Sequence, residues 1–139
     1  MLIRVLLGVA LASPLAACAS DVRAIPSGSV ATGLIVELTP AAVAELIAHK
    51  PAPTIVDVNP REIYDEGHLP SAIWMSSIEL RLNALPQDRD AKVIFYCYNE
   101  LCGASHQAAS AAVAKGWRNV ARMPAGIRGW HAAGLDIEE

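Results

Sequence analysis

The sequence predicts an α/β domain built on a mostly parallel sheet, and three observations predict it. From Gly33 onward, short apolar runs of strand length alternate with segments of helical period. Thr, Ser, Pro and Gly punctuate these segments where helices start and stop. The most apolar run, Lys92-Val93-Ile94-Phe95-Tyr96, is continuous rather than alternating, as in a strand covered on both faces.

The elements follow in order. Leu34-Ile35-Val36 predicts a short strand. Thr39 before Pro40 predicts an N-cap with proline at the first helical position, where no N–H is needed. Val43, Leu46 and Ile47 then share one helical face, and the segment ends at His49-Lys50-Pro51. Thr54-Ile55-Val56-Asp57-Val58 predicts a buried strand, residues 61–66 a short helix ended by Gly67, and residues 72–75 an extended stretch. Ser76 or Ser77 is expected to cap a helix reaching about Leu85, stopped by Pro86. After the 92–96 strand come Cys97, a loop to about Ala104, and an Ala-rich helix to Lys115 closed by Gly116. Residues 119–123 predict a last strand, and residues 126–132 a last helix ended by Gly134.

With 139 residues the chain suits one domain with a real core. Its 53% hydrophobic content supports a packed globule, and its net charge of −3 carries no Lys/Arg block, so nucleic acid is not an expected partner. Arg4 and the apolar run at 5–12 read as a secretory signal, too short for the ~20 apolar residues of a membrane-spanning helix. The expected division is a signal peptide at 1–17, an N-terminus and linker at 18–32, and the domain at 33–139. An exported domain sees an environment that permits disulfides, so Cys97 and Cys102 are not assumed to be reduced.

Cys97 is the candidate chemical centre. A cysteine at a strand end, followed by a loop and a helix N-terminus, faces backbone N–H groups and a helix dipole that stabilise an anion. A thiolate is the nucleophilic form of cysteine. The bland reading of such a cysteine is a small buried hydrophobe.

The rest of the chain carries a resemblance. Residues 57–73, with Asp57-Val58, Gly67-His68-Leu69-Pro70 and Ala72, resemble the rhodanese-family stretch in which Asp-Val-Arg leads to Glu-x-x-x-Gly-His-Ile-Pro-Gly-Ala. Val93-Ile94-Phe95-Tyr96-Cys97 resembles that family's active-site strand, and Ser105-His106-Gln107-Ala108-Ala109 with Gly116-Trp117-Arg118-Asn119-Val120 resembles the helix and strand that follow. Pro124-Ala125-Gly126-Ile127-Arg128-Gly129-Trp130 resembles its closing Gly-Gly-x-x-x-Trp. The resemblance implies a rhodanese-like fold, a parallel five-stranded sheet flanked by helices. It also implies sulfurtransferase activity without a cofactor or metal: a small donor gives sulfane sulfur to Cys97, and the persulfide passes it to a thiol acceptor. Tyr98, Asn99, Glu100, Leu101, Cys102, Gly103, Ala104 and Ser105 would form the substrate-binding loop. Asp57, His68 and Trp130 read as structural positions: a loop holder, a hydrogen-bonding turn residue and a core residue. Leu15-Ala16-Ala17-Cys18 resembles a bacterial lipobox, which implies a lipid anchor on Cys18 at the periplasmic side of a membrane. The alternative is ordinary cleavage and a soluble periplasmic protein.

The loop departs from the family pattern in three ways. Aligning Ser105 on the family serine puts Ala104 at the Arg position and makes the gap from Cys97 two residues longer. Without that arginine, Ala104 cannot bind an oxyanion bidentately, and phosphatase activity is not expected. The loop holds Glu100 and no basic residue, which disfavours a thiolate and an anionic donor such as thiosulfate. Arg81, Arg122 and Arg128 are the candidates to approach from elsewhere. Cys102 shares the loop, so it is a possible resolving thiol, and a thiol–disulfide redox protein is the second expectation. A non-catalytic binding module is the third. Cys97, Cys102 and His106 do not have zinc-site spacing, and a fourth ligand is lacking.

Overall fold

The computed structural model describes residues 34–139. The expected signal peptide, the lipobox-type Cys18 and the linker lie outside the described residues. Five strands form one sheet in the order β1-β5-β4-β2-β3, every pairing parallel: β1 Val36–Glu37, β2 Thr54–Asp57, β3 Ile73–Trp74, β4 Val93–Tyr96 and β5 Val120–Met123. Helices α1 Pro40–Ala48, α2 Arg61–Glu66, α3 Ala104–Ala114 and α4 Gly126–Ala132 connect and cover it. None of the described helices is long and apolar enough to cross a membrane.

The centre of the sheet explains the position of Cys97. All four residues of β4 are buried, and they alternate between two cores because successive side chains leave opposite faces. Val93 and Phe95 join Val56, Val58, Ala108, Ala109, Ala112 and Trp117 on the α3 side. Ile94 and Tyr96 join Val43, Ile55, Met123, Ile127 and Trp130 on the α1–α4 side. Cys97 continues the Phe95 face, so its side chain enters the α3 core at the carboxyl end of the middle strand. Parallel α/β sheets bind ligands at that edge.

The helices form where their caps and faces direct. Thr39 accepts a hydrogen bond from the Ala42 N–H at 3.2 Å, with Pro40 as the first helical residue. Thr39→Ala is expected to lower the unfolding free energy by about 1 kcal/mol in urea titration, with an unchanged m-value. A loss within about 0.3 kcal/mol of zero would remove the cap's role. In α3, Ser105, Ala108, Ala109 and Ala112 are buried at i, i+3, i+4 and i+7. These small side chains let the helix backbone lie close over the sheet.

Two sequence expectations are corrected. The first strand is Val36–Glu37, displaced toward the C-terminus, and Leu34 is 86% exposed. Glu37 gains an ion pair with Arg122 on the neighbouring strand at 2.6 Å. The helix expected from Ser76 or Ser77 to Leu85 is absent; the only helical turn there is the 3₁₀ turn Leu82–Ala84. Ser76 Oγ accepts from the N–H groups of Ile78 and Glu79, closing a local serine turn that competes with a helix. Leu80 and Leu82 both pack on the α3-side core, and Leu85 is buried in it. A spacing of two is not a helical spacing: one helix would send Leu80 and Leu82 to opposite sides.

Candidate active site

The segment from Cys97 to Ala104 connects the end of β4 to the start of α3 and is held from two directions. Helix α4 anchors its beginning: the Cys97 carbonyl accepts the Ile127 N–H at 2.9 Å, and the Tyr98 carbonyl accepts the Arg128 N–H at 3.0 Å. Gly126 makes this docking possible. It has φ +61°, and a Cβ there would lie 2.5 Å from the Cys97 and Tyr98 carbonyl oxygens. A tight turn shapes the tip. Asn99 Oδ1 accepts the Leu101 N–H at 3.1 Å, and the Asn99 carbonyl accepts the Cys102 N–H at 3.1 Å. Gly103 leads into α3, whose first residue is Ala104.

The two cysteines meet inside this segment, both as free thiols. Cys97 is 1% exposed, and its Sγ donates to the Cys102 carbonyl at 3.1 Å. The Ser105 Oγ, itself buried, lies 3.4 Å from the same sulfur. Burial pushes the Cys97 thiol up from its ordinary value, and its hydrogen bond with the Cys102 side chain adds to this. The Ser105 hydroxyl and N–H work against that rise by donating to the thiolate. Cys102 is half-buried. Burial raises it too, but the hydrogen bond from Cys97 and the N–H groups of Tyr98 and Ala104 outweigh burial and hold this thiol below the usual range. Protons on the pair therefore concentrate on Cys97.

The remaining loop side chains turn outward. Tyr98, Glu100 and Gly103 are exposed, and Leu101 is 95% exposed. Asn99, Glu100, Leu101, Ala125, Arg128 and Gly129 line a cleft of about 390 Å³. A larger cleft, about 430 Å³, opens beside Trp74, Met75 and Arg81 and touches no loop residue. Of the three arginines that were candidates to approach the loop, Arg122 pairs with Glu37 and Arg81 with Glu79. Arg128 comes nearest: its guanidinium lies 5.9 Å from the centre of the Tyr98 ring and 3.5 Å from the Tyr98 hydroxyl.

Asp57, His68 and Trp130 make their contacts outside the loop, although the Asp57 carboxyl works against the Cys102 thiolate. Asp57 is fully buried beside Tyr96, and its Oδ1 accepts the Asn59 N–H at 2.7 Å, which fixes the exit from β2. Burial pushes its carboxyl up, against hydrogen bonds from Tyr96 and Asn59. His68 stacks on Tyr64, with 3.9 Å between ring centroids, and its backbone exchanges both hydrogen bonds with Glu138. Trp130 is 2% exposed in the α4-side core, and its indole N–H donates to the Asp136 carbonyl at 2.8 Å. His106 is exposed, and among the described residues no three His, Cys, Asp or Glu side chains converge as a metal site. Gly126 is a loop anchor that the sequence signals only through the Pro124-Ala125-Gly126 stretch, because its contacts are with a distant segment.

Comparison with known proteins accords with this geometry. The family model described as a rhodanese-like domain matches residues 39–133. An HTH-type transcriptional regulator of Mycobacterium tuberculosis is 39% identical over 100 residues, covering 69% of this chain and 43% of that protein. The chain thus spans less than half the length of that relative. A thiosulfate sulfurtransferase of Coxiella burnetii is 28% identical over 78 residues, covering 56% of this chain and 71% of that protein. The crystal structure of the BH2092 protein of Bacillus halodurans superposes with a TM-score of 0.66 at 24% identity, covering 74% of this chain and 76% of that one, a likeness of fold.

Proposed function

Because the chain belongs to the rhodanese-like domain family, we propose that it is a sulfurtransferase that moves sulfane sulfur through a persulfide on Cys97. The observation that carries the reading is the placement of the Cys97 sulfur. It lies at the carboxyl end of the central strand, beside the Ser105 hydroxyl and N–H at the start of an eleven-residue helix. Those donors favour a thiolate and, after transfer, a terminal sulfur anion, and so offset part of the burial that raises this thiol.

In the first step the Cys97 thiolate attacks the outer sulfur of a donor. A Cys97–sulfur bond forms, the bond between that sulfur and the rest of the donor breaks, and the rest of the donor leaves with the electron pair. In the second step an acceptor thiolate takes the outer sulfur and Cys97 departs as thiolate. The loop itself carries Glu100 and, with Ala104 in place of an arginine, no cation, while Arg128 of α4 faces Glu100 across the cleft; this arrangement supports a neutral or protein-bound donor over thiosulfate. The test is thiocyanate formation when the full chain is mixed with cyanide and either a neutral organic trisulfide or thiosulfate. Turnover is expected with both, and faster with the trisulfide. No thiocyanate with either donor would overturn the reading.

The pH dependence follows from burial. The raised Cys97 pKa keeps this thiol protonated at neutral pH, so initial uptake rises about tenfold per pH unit and still climbs above the ordinary thiol pKa of about 8.5. Stopped-flow uptake rates across pH check this. A plateau below about pH 8 contradicts it.

The lipobox resemblance supports a periplasmic lipoprotein anchored to the membrane through Cys18. Intact mass from membrane extracts is expected to show lipid on Cys18. A mature N-terminus at Ser20 would overturn it.

A further inference from the structure

We infer that Cys102 is the resolving thiol of this site: it attacks the persulfidated Cys97, expels sulfide and leaves a Cys97–Cys102 disulfide that a dithiol must reduce. The inference rests on the persulfide reading above and assigns that reading its product and its co-reactant.

Four observations bring the second sulfur to this role. The backbone of residue 102 already touches the Cys97 sulfur, through the 3.1 Å contact with its carbonyl. Both thiols are reduced, and the two titrate as neighbours, Cys97 raised and Cys102 lowered by the other's side chain. The Tyr98 and Ala104 N–H groups help hold the Cys102 thiol below its ordinary value, which favours its thiolate as the attacking species. Cys102 is half-buried and packs against the α3-side core that seals Cys97.

The chemistry balances without an added oxidant. The donor's sulfane sulfur is the oxidant, and it leaves reduced. The Cys102 thiolate attacks the inner sulfur of Cys97–S–SH, a Cys97–Cys102 bond forms, the bond to the outer sulfur breaks, and HS⁻ departs with the electron pair. Attack on the outer sulfur instead moves it to Cys102, and the reverse step returns it. Only attack on the inner sulfur is followed by loss of sulfide. The tip between the cysteines is four residues long, Tyr98 to Leu101, and is turned back by the two Asn99 bonds, which return Cys102 to the Cys97 sulfur. Reduction by a dithiol consumes two electrons and restores both thiols. With neither a dithiol nor an acceptor such as cyanide to take the outer sulfur first, each chain releases one sulfide and stops.

The test mixes the reduced full chain with one equivalent of glutathione persulfide and no acceptor, then reads sulfide release and intact mass. The wild type is expected to release one sulfide per chain and to end about 2 Da below the reduced mass. Cys102→Ser is expected to keep an adduct of about 32 Da and to release sulfide at least about tenfold more slowly. Cys102→Ala, matched to wild type by circular dichroism, serves if the serine variant fails to fold. A wild type that keeps its adduct as long as the Cys102 variants overturns the inference and leaves the sulfurtransfer reading intact. Chains that never gain the adduct or release sulfide overturn both.

Discussion

Cys97→Ser is expected to reduce thiocyanate formation by at least about a thousandfold, without a matching loss of stability. A serine hydroxyl does not ionise in the range where the thiol does, and it forms no persulfide. The fold should tolerate the change because serine is of similar size and its hydroxyl can keep the bond to the Cys102 carbonyl. Circular dichroism and urea unfolding separate loss of chemistry from loss of structure. A Cys97→Ser variant that still forms thiocyanate, with sulfur mapping to Cys102, would transfer the carrier role to that residue.

Gly126→Ala is expected to cost about 3 kcal/mol in urea unfolding and to lower sulfur uptake as well. Two effects combine. At φ +61° an alanine pays for a left-handed backbone, and its Cβ meets the backbone of Cys97 and Tyr98 at 2.5 Å. The neighbours there are main-chain atoms of the active loop, so relief requires the loop to shift off α4. Gly116→Ala is the control: its φ is +100°, and nothing lies within 4 Å of its Cβ position. It is expected to cost about 1–2 kcal/mol and to leave uptake unchanged. Equal stability losses at the two positions, with equal uptake, would show that α4 does not set the loop.

Much of this architecture was legible because it follows from local chemistry. Thr39-Pro40 marks the start of α1, Gly67 the end of α2, and the continuous run before Cys97 marks the central strand. The segment after Ser76 was not legible, because a serine that caps a helix and a serine that closes a turn look alike until Leu80 and Leu82 are seen to share one core. The strand-end cysteine was legible for the same local reasons. The pairing of thiols was legible only as proximity in sequence. Which sulfur is sealed and which is cradled depends on the loop's path, set by Gly126 on α4 and by the Asn99 turn, and these contacts join distant segments. The charge at the rim likewise depended on which arginines find carboxylates: Arg81 and Arg122 do, while Arg128 lies over Tyr98.

The most direct test of sulfur transfer through Cys97 is peptide mapping of the Cys102→Ser chain after glutathione persulfide, read under non-reducing conditions. A single adduct of about 32 Da on the peptide containing Cys97 is the predicted result. An unmodified Cys97 in a folded chain would contradict it.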